Sequence, residues 1–218
     1  TPQFSRAGNF NEGLARIVVG DEAGFINETG EIVITPQFHI AWWFSEGLSA
    51  VSTGDKWGFI DNTGEIVIEP QFDAAWSYHE GFAPVKVGDE WGFINTTGEM
   101  VIDPRFHFAG SFFEGLAPFN TGDMWGFINT AGEIVITPEF DRANLFSDGM
   151  ASVQVDDKWG FINTAGEVVI PPQFERVYEF SEGLCAVLIG DKWGFINETG
   201  EIVIPPRYEY IDASQGWE

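Results

Sequence analysis

Trp91-Gly92-Phe93-Ile94-Asn95-Thr96-Thr97-Gly98-Glu99-Met100-Val101-Ile102 is one copy of the pattern that decides the fold. Trp-Gly-Phe-Ile recurs at Trp57, Trp91, Trp125, Trp159 and Trp193, always 34 residues apart. A further copy, Ala23-Gly24-Phe25-Ile26, lacks the Trp. A fixed period of this length marks a chain built from stacked copies of one small unit. Copies begin at Gly13, Gly47, Gly81, Gly115, Gly149 and Gly183 without insertion or deletion, so each connection is geometrically constrained.

Tetratricopeptide helix pairs share this period, so content settles the class. Runs such as Glu65-Ile66-Val67-Ile68, bounded by Gly, Asn, Asp and Pro, read as short strands. No stretch between these breakers reaches the length of an ordinary helix, about ten residues. In the third copy strands are expected at residues 82–87, 91–95 and 99–102, joined by hairpins at Gly88-Asp89-Glu90 and Asn95-Thr96-Thr97-Gly98. Gly98 is placed where a left-handed residue returns the chain. Pro104, with no N–H to donate, is expected to end the ladder. The tail that follows carries Phe106, Ala109 and Phe112, matching Phe72, Ala75 and Tyr78 one copy earlier. Its i, i+3, i+6 spacing suits a turn or short 3₁₀ segment laid over the sheet.

A unit this small cannot offset its own ordering entropy by burial, so the copies must stack. Trp57, Trp91, Trp125, Trp159 and Trp193 are the expected structural interlock. The fold class that follows is an all-β repeat protein of six 34-residue β-hairpin or meander units. They form a single domain over residues 1–218, with partial terminal units at 1–12 and 217–218. Residues 1–12 and 205–217 are both tail segments, so the two ends duplicate each other. An open β-solenoid or superhelical spiral is therefore favoured over the alternative, a closed six-unit propeller or barrel.

Charge narrows the partners. The chain carries 34 acidic against 10 basic residues, a net charge of −24. Such a surface repels nucleic acid and anionic membrane, so neither is an expected partner. Much of the charge is repeat-borne, in Glu31, Glu65, Glu99, Glu133, Glu167 and Glu201 after the turn Gly, and in Asp21, Asp55, Asp89, Asp123, Asp157 and Asp191 of the first hairpin. These read as solvated turns, or as a docking face for a basic partner. Cys185 stands where other copies have Ala or Ser, and reads as a small buried residue. No apolar run of about 18 residues spans a membrane, and nothing fixes the compartment.

Catalytic and metal chemistry find little purchase. His39 and His107 share one repeat position two copies apart, with Asp73 between them, and His79 belongs to another column. Units that far apart do not converge on one zinc, so no metal and no cofactor is expected. A GxSxG elbow, an HExxH pair and a phosphate-cradling loop are all lacking. Sequons at Asn27, Asn95 and Asn197 lie in the second hairpin, where Asn and Thr suit the turn anyway.

The discriminating positions are those that break the template. One tail column reads Gly8, Trp42, Trp76, Gly110, Asn144, Tyr178 and Asp212; its neighbour reads Asn9, Trp43, Ser77, Ser111, Leu145, Glu179 and Ala213. A third reads Arg6, Ile40, Ala74, Phe108, Arg142, Arg176 and Tyr210. Residues that packing does not dictate are candidates for binding, and a mixture of Trp and Arg suits an interface. Trp42, Trp43, Trp76, Phe108, Arg142, Arg176 and Tyr178 are the candidate binding residues. The competing reading is that they plug local gaps.

The stretch from Lys158 to Phe174, Lys-Trp-Gly-Phe-Ile-Asn-x-x-Gly-Glu-x-Val-Ile-Pro-Pro-x-Phe, closely resembles the bacterial WG-repeat (KWG) family. Phe180-Ser181-Glu182-Gly183-Leu184 does too, and the likeness covers essentially the whole chain. It departs at Ala23 and at Ser214-Gln215-Gly216-Trp217, near the ends, where capping copies are atypical. The resemblance implies a β-rich repeat used for interaction and brings no catalytic residues. The expected function is a non-catalytic scaffold for a protein or peptide partner, favoured if basic. The alternatives are a spacer array, an engineered scaffold, or a carbohydrate-acting enzyme that uses the acidic residues. Oligomeric state does not follow from the sequence.

Overall fold

The computed structural model describes residues 4–211 and shows six four-stranded antiparallel sheets, with no helix among the described residues. The first sheet holds β1 (Arg6–Asn11), β2 (Leu14–Val19), β3 (Glu22–Asn27) and β4 (Ile32–Phe38). The second holds β5 (Ile40–Ala41), β6 (Leu48–Ser52), β7 (Trp57–Asp61) and β8 (Ile66–Phe72). The third holds β9 (Ala74–Ala75), β10 (Phe82–Val87), β11 (Glu90–Asn95) and β12 (Met100–Phe106). The fourth runs β13 (Phe108–Ala109), β14 (Leu116–Asn120), β15 (Trp125–Asn129) and β16 (Ile134–Phe140). The fifth is β17 (Arg142–Ser147), β18 (Met150–Val155), β19 (Lys158–Asn163) and β20 (Val168–Phe174). The sixth is β21 (Arg176–Val177), β22 (Leu184–Ile189), β23 (Lys192–Asn197) and β24 (Ile202–Tyr208). The chain forms two compact units, the first ending at Ser111 and the second starting at Phe112. Asp212, Ala213 and the stretch Ser214–Trp217, on which part of the end-to-end comparison rested, lie outside the described residues.

The two central strands fall where the alternation of the sequence puts them, but the third and the tail do not. Pro104 does not end the ladder, because β12 runs through it to Phe106. From Trp91 to Phe93 β11 advances two residues, while β12 moves from Phe106 to Ile102. The extra residues form a bulge that contains Pro104, where no ladder N–H is required. The tail is not a 3₁₀ turn either. Phe106 pairs with Trp91, and Ala75, its predecessor's tail residue, pairs with Val85 as the first strand of the next sheet. Each sheet therefore begins in one sequence copy and finishes in the next.

The bulge explains the Gly of Trp-Gly-Phe-Ile. A Cβ on Gly92 would collide with the Ile102 carbonyl oxygen and lie 2.7 Å from the Pro104 nitrogen. The ladder Gly is a packing requirement, whereas Gly98 sits at φ 83° and returns the hairpin as expected.

Core clusters lie between successive sheets. In the first unit one cluster joins Phe25, Ile34 and Phe38 of sheet one to Ala41, Phe44, Val51 and Ile60 of sheet two. In the second unit Phe127, Ile136 and Phe140 meet Phe146, Ala151 and Val153 in the same manner. The ladder Phe makes an edge-on contact with a tail ring of the next sheet in three copies: Phe25 with Phe44 at 4.8 Å, Phe127 with Phe146 and Phe161 with Phe180, both at 4.9 Å. The ladder Trp adds to this packing: Trp57, Trp125 and Trp159 each lie against a cluster shared by two successive sheets, and Trp57 also stacks on Trp42 of its own sheet.

Polar links run the same way. Glu12 accepts the Glu46 N–H at 2.7 Å and the Gly47 N–H at 2.9 Å, and Glu46 accepts the Gly81 N–H at 2.9 Å. In the second unit Glu114 accepts the Gly149 N–H. Each donor turn is a left-handed pair, such as Glu46 at φ 56° and Gly47 at φ 78°. A non-Gly residue costs about 1 kcal/mol there, and its carboxylate offsets that by capping the next turn.

The second hairpins are Asx turns. Asn95 Oδ1 accepts the N–H groups of Thr97 and Glu99, and its amide donates to Glu99 at 2.9 Å. Asp61 keeps the turn but cannot donate to Glu65. Asp61→Asn is expected to stabilise the protein by about 0.5 kcal/mol, read as a shift in urea midpoint at neutral pH. The Thr63 hydroxyl holds the Asp61 carboxyl below its ordinary range. That contribution is present above the unfolded pKa and is lost as pH falls through the folded one. The advantage of the Asn variant should therefore widen in acid.

Candidate functional site

In the first unit Trp42, Trp43, Trp76 and Phe108 join one continuous aromatic strip. Trp42 lies 5.6 Å from Trp43, 6.1 Å from Trp57 and 5.4 Å from Trp76. Trp76 stacks on Trp91 at 6.1 Å and 11°, and Phe108 closes on Trp91 at 5.6 Å. The members differ in burial. Trp42 is half-buried against the core and donates its indole N–H to the Ala75 carbonyl at 3.1 Å. Trp43 and Trp76 are 43% and 36% exposed. The strip thus has an anchored base and two rings that reach solvent.

Sheet one lacks the ladder Trp, and the space beside Ala23 is a hollow of about 420 Å³ lined in part by Arg6, Arg16 and His39. Arg16 is held there by donating to the Ala41 carbonyl at 2.8 Å.

In the second unit the candidate residues separate into two places. Tyr178 lies 5.1 Å from Trp193, and the Arg176 guanidinium sits 5.7 Å over the same indole. Arg142 is elsewhere, at the rim of a hollow of about 500 Å³ that it shares with Trp125, Trp159, Asp123, Asp141 and Asn144. Within this unit the three candidates do not form a single face.

The residue that follows each bulged strand resolves the histidine column. At Asp73, Asp141 and Glu175 a carboxylate accepts a hairpin N–H, from Gly88, Asp156 and Gly190. Lys56 and Lys158 add ion pairs to Asp73 and Glu175, at 2.6 and 2.9 Å. These lysines, together with those hairpin bonds, draw both carboxyls below their usual range. At His39 and His107 the following hairpin caps itself: Ser52 Oγ accepts the Gly54 N–H, and Asn120 Oδ1 accepts the Gly122 N–H. The two histidines are thus exposed members of a structural column. Comparing the hairpins at Ser52 and Asn120 with those at Val87 and Val155 would have exposed this alternation in the sequence. The cross-sheet Glu12 and Glu46 bonds had no such signal, because they read as part of a turn.

Cys185 is buried, its thiol pushed up to about 12 by desolvation and bonded to the Tyr178 carbonyl at 3.2 Å. It is an inert core group.

Similar solved structures share the fold. Hsv2 of Kluyveromyces lactis, in a form with loop 6CD replaced by a Gly-Ser linker, is 12% identical over 90% of this chain and 79% of its own, at a TM-score of 0.57. A eukaryotic initiation factor is 12% identical over 94% of this chain and 68% of its own, at 0.61. The extracellular domain of a hybrid two component system from B. thetaiotaomicron reaches 0.50 at 12% identity, covering 88% of this chain and 32% of that one. The Hsv2 structures are β-propeller-like, the second of the two architectures that the sequence allowed. A comparison with curated proteins found no match. The profile described as WG containing repeat matches residues 1–22, 24–57, 57–91, 91–125, 125–159, 159–193 and 193–216, and the chain belongs to that family.

Proposed function

We propose that this repeat scaffold is a non-catalytic binding protein that takes a protein or peptide, favoured if basic, on the aromatic strip of its first unit. The observation that carries this reading is the pairing of exposed rings with a rigid base. Trp43 and Trp76 reach solvent while Trp42 meets Trp43 edge-on, Trp91 stacks on Trp76, and Trp57 backs Trp42. Large aromatic rings already fixed in place lose little conformational entropy on binding and are the residues that carry interface energy. A net charge of −24 attracts a basic segment and discourages nucleic acid or an anionic membrane. The non-catalytic part of the reading rests on the repeat carboxylates. Glu31 and Asp61 are tied into turns by hydrogen bonds that lower their pKa, the opposite of what a general acid needs.

The test is selection of displayed peptides on the whole chain, followed by titration of the enriched sequences. Enriched peptides should carry Lys or Arg, and a Trp43→Ala, Trp76→Ala double variant should bind them at least about tenfold more weakly. The melting temperature of that variant should stay close to the parent's. No enrichment above background would leave the spacer role as the better account. Binding that survives the double variant would move the site elsewhere.

A further inference from the structure

Three copies show what the ladder Trp accepts on its face. Trp42 lies on Trp57 at 6.1 Å and 17°, Trp76 on Trp91 at 6.1 Å and 11°, and Tyr178 on Trp193 at 5.1 Å and 34°. In the fifth sheet the residue at this position is Asn144, so that column places no ring on Trp159, which is half-buried against the cluster of Phe161, Phe174 and Phe180. What stands there is the hollow of about 500 Å³, within the range of about 300–1,000 Å³ that small-molecule sites occupy.

The lining of the hollow carries further polar groups, and one of them lacks the partner that it has in other copies. Met124 replaces the lysine found at Lys56, Lys158 and Lys192, each of which pairs with the carboxylate of its column. Asp141, the carboxylate beside Met124, keeps one bond from the Asp156 N–H at 2.9 Å and has no ion pair among the described residues. Arg142, in a column that also holds Arg6 and Arg176, lines the hollow, and its guanidinium is exposed without an ion pair among the described residues. The Asn144 amide is positioned by donating to Ser152 Oγ at 2.8 Å. Asp123 completes the rim.

We infer that this hollow is a saccharide site, in which a neutral hexopyranose ring stacks on Trp159 as Trp42 does on Trp57 and gives its hydroxyls to Asp141, Arg142 and Asn144. A pyranose has an apolar C–H face that suits an indole, and a rim of hydroxyls that needs acceptors and donors together. The rim here supplies both: carboxylate acceptors in Asp123 and Asp141, guanidinium donors in Arg142, and an amide in Asn144. Other ligand classes match less of it. An aromatic side chain has the face and no rim, an anion meets two carboxylates, and a cation leaves Arg142 unmatched.

The test titrates the full chain with cellotetraose, maltotetraose and the tetramer of N-acetylglucosamine, read by tryptophan fluorescence and calorimetry. N-acetyltryptophanamide serves as the aromatic probe. At least one tetrasaccharide should saturate with a Kd below about 1 mM. Asn144→Trp, which installs the residue of positions 42 and 76, should weaken it at least about tenfold with no fall in melting temperature. Arg142→Ala and Asp141→Asn, both at exposed positions, should each weaken it about tenfold and carry the test should Asn144→Trp fold poorly. Trp43→Ala should leave it unchanged, which separates this site from the aromatic strip. The inference is overturned if no tetrasaccharide saturates by about 10 mM. It is equally overturned if binding persists in the Asn144, Arg142 and Asp141 variants, or if only N-acetyltryptophanamide binds.

Discussion

Gly92→Ala should lower stability by about 3 kcal/mol or more, a large loss for the addition of a single methyl group. The new Cβ would meet the Ile102 carbonyl oxygen, the Pro104 nitrogen at 2.7 Å and the Asp103 carbonyl carbon at 3.0 Å. All three are backbone atoms of one bulge, so no side chain can rotate away. Relief requires β12 to lift from β11, which breaks the pairing of Phe93 with Ile102. Gly88→Ala is the control. Gly88 has φ 63° and open space around it, so its variant should lose only the left-handed penalty of about 1 kcal/mol. Urea midpoints of the two variants measured side by side decide the matter. Equal losses would mean that the ladder Gly is kept for conformation and not for contact.

Phe127→Ala should cost about 3–5 kcal/mol. Phe127 is fully buried, packs edge-on against Phe146 at 4.9 Å, and belongs to the cluster that joins sheets four and five. Its removal leaves a cavity between two sheets that are each pinned by their own hydrogen bonds, so collapse around it is limited. Phe127→Leu should recover most of the loss, because it keeps most of the volume. Trp43→Ala removes a larger side chain and should change stability by no more than about 0.5 kcal/mol, since that ring is 43% exposed. The ranking, measured by denaturation, tests whether Phe or Trp carries the stacking of the copies. Trp125 packs against the same cluster, and a Trp125→Ala loss well above that of Phe127→Ala would give it the larger share.

The strands were legible where the physics is local. Phe82–Val87 is the strand that alternation and the flanking Gly residues mark, and Gly98 turns as the hairpin spacing requires. Pro104 misled because its missing N–H argues against a regular ladder, and the ladder there is irregular by two residues. The ladder Phe was missed as a partner of the Trp between sheets for a related reason. Invariance within the chain shows that a residue packs, but not across which gap: Phe25 meets Phe44 of the next sheet, and Trp57 packs against the cluster that sheets two and three share. The candidate positions were found by their irregularity, yet nothing in the sequence separates Trp42, held by an indole bond to Ala75, from Trp43, which meets Trp42 edge-on and reaches solvent. The hollow beside Asn144 was out of reach for the same reason. Arg142 and Asn144, which line it, fall in different columns, and Asp141 there goes without a lysine because Met124 stands in a third.

Because each sheet takes its opening strand from the preceding copy, the 34-residue period has many equivalent starting points on paper and few in space. A piece excised from Gly47 to Glu80 carries β6, β7, β8 and β9, so it holds three strands of one sheet and an orphaned first strand of another. A piece running from Ile40 to Asp73 carries β5 to β8 and closes as a whole sheet. Duplication in a gene can begin at any phase and still lengthen the array by one sheet, since the missing strand is lent by the neighbour. Transplantation is less forgiving: only the second phase travels as a self-contained cassette.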